Sequence, residues 1–302
     1  MSAFNHFPVI ALGLSHTVQD DEFTLALIRD PRFAGTARNI VIECGNSLYQ
    51  PVLDRYIAGN SVPLARLELV WRNTTQVFGP CNDPHHEELL EAVRALNRRL
   101  PTDRRIRVLA GDPPINWEKV RTASDYRYFS LHRSDNFASV VETQVLAKHQ
   151  NALLVVGGFH VFRHHGPQEP IVTVTERLEH THRHSTYVIV SSSSQNIELD
   201  RRLKSWPVPS IAAIHYTWLG LTDASAIAGD ALFRGKPVNP WPGLRIQDLG
   251  DAYLDLGPAA SMRDEDGPPG SDLIYMRELN RRSSFLPKFR TILSPTSKPL
   301  AP

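Results

Sequence analysis

The chain has 302 residues, 41% of them hydrophobic, with 33 Lys and Arg against 32 Asp and Glu, a formal net charge of +1. That length buries a sizeable core, in one large domain or two small ones. The near-balance of charge gives no electrostatic basis for binding nucleic acid or an anionic membrane, and no apolar run approaches the roughly 20 residues that span a bilayer.

The first residues, MSAFNHFPVIALG, carry no basic region and no cleavage pattern, so a cytoplasmic location is expected. PVIALGLSH (8–16) is the first of six short apolar runs rich in Val, Ile or Leu without strict alternation, the pattern of strands covered on both faces. DDEFTLALIRD follows as a helix with acids at its start. NIVIECGN (39–46) is the second strand. Residues 51–104 hold no convincing strand and read as a helical insertion (about 47–104), with DPHHEELLEAVRALNRRL (83–100) its clearest amphipathic helix. RIRVLAGD (105–112) is the third strand, and SDNFASVVETQVLAKHQ (134–150) a helix capped by Ser134 or Asp135. ALLVVGGFH (152–160), TYVIVSSS (186–193) and SIAAIH (210–215) complete the strands.

Alternating strands and helices predict an α/β fold: a central, mainly parallel sheet flanked by helices, in one domain over residues 1–257. Residues 258–302 are expected to form an irregular, partly disordered extension with a short helix near YMRELNRR. There is no internal repeat, dinucleotide fingerprint or Walker A sequence.

In open parallel α/β sheets, ligands bind beyond the carboxyl ends of the strands. Here those ends carry His16, Glu43, Asp112 and His160. Two chemistries are open to such a set. One histidine could act as general base on a water, with Glu43 fixing its tautomer. Alternatively His16, Glu43 and His160 could hold a divalent metal that activates the water.

Other features have plainer readings. Cys44 and Cys81, the only cysteines, make no disulfide framework, and Cys44 reads as an inert core thiol. His180, His182 and His184 would share one face of an extended segment and could bind zinc, but a solvated loop is the expected setting. His164 and His165 belong at the cleft mouth or on the open surface, and His85 and His86 on the surface. The Ser191–Ser194 run is no nucleophile elbow. Arg133 either binds an anionic group of the substrate or pairs with Asp135 or a strand-end acid. Trp117 lines a pocket or caps the core.

The same residues carry a family resemblance. Gly13-Leu14-Ser15-His16, Glu43 in VIECGN, Arg133-Ser134-Asp135-Asn136-Phe137-Ala138 and Gly157-Gly158-Phe159-His160 occur in order. The chain thus resembles the superfamily of erythromycin esterases, ChaN-type haem-binding proteins and Tiki/TraB-type proteins, from residue 8 to about 165 and more loosely to about 257. The resemblance implies a cleft over the sheet with His16, Glu43, Arg133 and His160 in it. It implies a hydrolase that cleaves an ester, lactone or amide of a small molecule. The other branches imply a non-catalytic binder of haem or another small ligand, or a metal-dependent peptidase-like protein. Leu14 stands where the family motif G-E-x-H has glutamate, and Ser134 where it has an acid or amide. Three outcomes are open: Asp112 takes over the missing role, the chemistry differs, or turnover is lost.

Overall fold

The computed structural model describes residues 1–83, 85–165, 172–191, 196–228, 231–233, 236–238, 241–258, 261–263 and 272–286. Its strands are β1 (Val9–Leu14), β2 (Asn39–Asn46), β3 (Arg107–Asp112), β4 (Ala152–Gly157), β5 (Thr186–Ser191), β6 (Ser210–Ala213), β7 (Ala231–Phe233), β8 (Lys236–Val238) and β9 (Ala252–Asp255). Seven of them form one sheet in the order β3-β2-β4-β1-β5-β9-β6, and β7 pairs with β8 in a separate hairpin. Every pairing in the large sheet is parallel except that of β6 with β9. The fold is therefore α/β with a mainly parallel sheet.

Each strand of the centre serves two cores, which is why its sequence does not alternate. Val9 and Ala11 of β1 face a layer containing Phe137, Val141 and Leu178. Ile10 and Leu12 face the opposite layer, with Ile28, Leu53 and Leu90. The first layer is built by the helices Arg133–Gln144 and Val174–Thr181; the second by Val18–Arg29, Gln50–Ile57 and His85–Asn97. The insertion between β2 and β3 is helical, as its sequence predicts.

β4 is the last of the first four strands in the chain but lies between β1 and β2. The ends of β1 and β2 therefore flank β4, and any contact between them crosses its last residue, Gly157. The expected fourth strand stops there. Gly158–Val161 turns into a short helix that carries His160 back toward the sheet edge.

Several expectations are corrected. β9 is an unanticipated strand: its four residues, AYLD, are too few for a periodic signal. The helix Leu273–Ser283 in the C-terminal extension buries Tyr275 and Leu279 against Val77, Ile115, Trp117 and Tyr126. Trp117 thus belongs to a small satellite core. The last stretch of the extension, FRTILSPTSKPLAP (289–302), expected to be partly disordered, lies outside the described residues, as do Ser192–Ser194 of the serine run.

Cys44 and Cys81 are joined in a disulfide, so neither is a free thiol. The partners lie 37 residues apart, across an insertion whose path the sequence does not specify. No helix among the described residues is long and apolar enough to cross a membrane. Replacing both cysteines by alanine is expected to lower the unfolding free energy by about 2–4 kcal/mol. Urea denaturation of the double variant beside the oxidised protein measures the loss.

Candidate functional site

The site begins with a bulge. β2 and β3 are in register up to Ile42–Ala110, and the next pair is Asn46–Asp112, so β2 spends extra residues over Glu43 to Gly45. The bulge aims Glu43 over the end of the sheet. Across β4, the residue after β1, Ser15, leads into His16, which holds a left-handed backbone with φ of 62°. Such a conformation is uncommon outside glycine. It points the imidazole toward Glu43, with Nε2 at 3.6 Å from Glu43 Oε2.

The two side chains meet over Gly157. Its backbone N–H donates to Glu43 Oε2 at 2.5 Å. A Cβ at this position would come within 2.7 Å of His16 Nε2 and 3.3 Å of Glu43 Oε2. The glycine is required by the close approach of two functional groups.

Arg133, the first residue of its helix, ties the remaining strand ends together. Its Nη2 donates to Glu43 Oε1 at 2.6 Å, its Nε to Asp112 Oδ1 at 3.0 Å, and its Nη1 to His160 Nε2 at 3.1 Å. It pairs with two strand-end acids and not with Asp135, which binds Arg177. Asp112 also accepts from the Thr75 backbone and hydroxyl at 2.6 and 2.7 Å. Gln76 Nε2 donates to Glu43 Oε1 at 3.2 Å.

These bonds assign charges. Burial alone would raise the Glu43 pKa, but Arg133, His16, His160 and the Gly157 N–H outweigh it and hold the carboxyl far below its ordinary range. Burial pushes Asp112 up, against the pull of Arg133 and Thr75. His160 is pushed down to about 4 by burial and then by the Arg133 charge. A guanidinium has only donors, so His160 Nε2 accepts, and its proton sits on Nδ1, 3.2 Å from Ser134 Oγ. Ser134, the departure from the family pattern, is thus the partner that fixes this tautomer.

The structure brings His16, Glu43, Arg133, Asp112 and His160 into one network. It does not put Asp112 in the place of the missing glutamate: Asp112 serves Arg133 and Thr75. Leu14 instead lines a small cavity beside His16, together with Ile42, Leu89, Val155 and Trp71. Asp21 and His85 also reach this cavity. His85 lies between two carboxylates, Nε2 at 2.8 Å from Asp21 and Nδ1 at 2.9 Å from Asp83. His85 is therefore half-buried at the site, contrary to the surface expectation. The sequence offered only its place in a helix's first turn. His180, His182 and His184 are exposed, and His180 is helical, so no extended triad forms. His164 and His165 are exposed, and His165 pairs with Glu176.

The metal reading does not fit. The Arg133 guanidinium occupies both Glu43 Oε1 and His160 Nε2, the atoms a cation would need, and brings a positive charge there. Among the described residues no group of three or more His, Cys, Asp or Glu could hold a metal ion. Haem does not fit either: the cavity beside His16 measures about 40 Å³, and the His160 nitrogen facing Arg133 already accepts a hydrogen bond.

No protein-family model and no curated protein sequence matches the chain. Among solved structures it is similar to a mutant of erythromycin esterase EreC in its open conformation, with 11% identity and a TM-score of 0.48 over 83% of this chain and 90% of that one. It is also similar to a succinoglycan biosynthesis protein, with 11% identity and a TM-score of 0.42 over 63% and 67% of the chains. A Bacillus cereus protein shares 12% identity, with a TM-score of 0.38 over 63% and 67%.

Two outcomes are expected. Unfolded His160 binds a proton near pH 6.5, whereas the folded protein resists until about 4. Stability should therefore fall as pH drops through that window, by up to about 3 kcal/mol, and be flat above it. His160→Gln should shorten this acid limb in melts from pH 4 to 7. Gly157→Ala should leave the fold intact but part His16 from Glu43, seen as a changed imidazole chemical shift by NMR.

Proposed function

We propose that the chain is a hydrolase that cleaves an ester, lactone or amide of a small molecule, with His16 as general base. The supporting observation is the graded exposure of the network. The His16 side chain is 30% exposed, while Glu43 behind it is 4% exposed and Asp112 is fully buried. A proton-transfer group at the opening, backed by a buried ionised carboxylate, is the arrangement that general-base catalysis needs.

Glu43 lies beside Nε2 of His16 and stabilises the imidazolium that forms when His16 takes the proton. The water oxygen bonds to the acyl carbon as its proton passes to His16. The tetrahedral adduct then collapses, the bond to the leaving oxygen or nitrogen breaks, and the imidazolium returns its proton to that atom. The products are a carboxylic acid and an alcohol or amine.

His160 is a positioning residue in this scheme. It stays neutral, and its lone pair is engaged by Arg133. Arg133 acts as a structural clamp on Glu43, so its role is to hold the base's partner.

The test is a screen of esters, lactones and amides with the wild-type protein and two variants. His16→Asn should lower kcat by about 10²–10⁴-fold with KM little changed. His160→Gln should lose less. Full turnover by His16→Asn would sink the assignment.

A further inference from the structure

We propose that the cavity beside His16 is an acyl pocket for a group of two or three carbons, and that Leu14 and Leu89 set its limit. This deepens the hydrolase reading and rests on it. The cavity's walls are mostly apolar: Leu14, Ile42, Leu89, Leu90, Val155 and Trp71. His16 and Glu43 lie at its polar end. A substrate whose carbonyl carbon meets the water activated by His16 can place only one end of the molecule in this space.

Size selects that end. The cavity of about 40 Å³ is roughly a quarter of the ~150 Å³ void that admits benzene in an engineered core. An aromatic acid, a long acyl chain or a macrocycle does not enter. An acetyl or propionyl group does, and burying its methyl and methylene contributes about 0.8 kcal/mol per carbon. The walls are held in place: Cys44 is tied to Cys81, Val155 belongs to a central strand, and Leu89 and Leu90 are buried.

Leu14 gains a meaning from this position. A glutamate there would put a third carboxylate beside Glu43 and Asp21 and fill the space with a solvated charge. Leucine adds no charge to the one side of the space that Asp21, Thr24, His85 and His86 do not already make polar.

The experiment uses a homologous series of 4-nitrophenyl esters: acetate, propionate, butyrate and hexanoate. Wild-type kcat/KM should be highest for acetate or propionate and at least 20-fold lower for hexanoate. Leu89→Ala should shift the optimum to butyrate or longer, and Leu14→Phe should lower propionate turnover at least 10-fold more than acetate turnover. A flat series, or a preference for hexanoate, overturns the pocket.

If no ester is cleaved, the hydrolase reading fails, and methyl-resolved NMR titration tests the pocket alone. Saturable shifts of the Leu14 and Val155 methyls with 1-propanol but not 1-hexanol, abolished by Leu14→Phe, would support it. No saturable shift with 1-propanol would overturn it.

Discussion

The strand-end network depends on one buried cation. Glu43 and Asp112 leave water almost completely, and an isolated carboxylate in that setting would neutralise itself or unfold its surroundings. Arg133 supplies a planar fork whose three nitrogens reach Glu43, Asp112 and His160 separately. A lysine, with its single point of charge, would not span the three. The guanidinium keeps Glu43 ionised, keeps His160 neutral, and joins the ends of β2 and β3 to the helix after them. His16, at the opening of the network, is 30% exposed.

A second layer of structure keeps that network in register. Thr75 and Gln76, which bind Asp112 and Glu43, sit in a turn of the insertion. Trp117 Nε1 donates to the Thr74 carbonyl at 3.0 Å, and the Tyr126 hydroxyl to the Thr75 carbonyl at 3.2 Å. The C-terminal helix braces the same turn. Buried Arg282 stacks on Trp117 at 4.7 Å and donates to the Arg72 carbonyl and to Asn73. The disulfide fixes Cys81 beside Cys44, next to Glu43. The insertion and the extension, which look peripheral in the sequence, support the site's acidic floor.

The sequence marked the strand ends well because buried parallel strands leave an unmistakable pattern: apolar runs closed by Gly and an ionisable residue. From that pattern came His16, Glu43, Asp112 and His160; Arg133 came from the family resemblance, and the helix it opens is capped by His132 and not by the expected Ser134 or Asp135. The strand β9, which lies between β5 and β6, was missed because it is too short to show a period. Asp21, Thr75, Gln76 and His85 were missed because their roles come from contacts across long loops. His85 lies 69 residues from His16 along the chain yet lines the same cavity. His86 lines it too, and nothing local distinguishes either from a solvated histidine in any first helical turn.

By itself the sequence determined the α/β class, the mainly parallel sheet, the helical insertion and the identity of the strand-end set. Each of these follows from local hydrophobic pattern and chain order. Only the tertiary structure decided the roles. The placement of β4 between β1 and β2 made Gly157 the floor of a His–Glu contact. The Arg133 fork tied Glu43, Asp112 and His160 into one network. The Cys44–Cys81 pairing and the apolar space behind Leu14 arose from segments brought together across the sheet. Charge state and cavity shape depend on distances between residues far apart in the chain, and those distances are fixed only by packing.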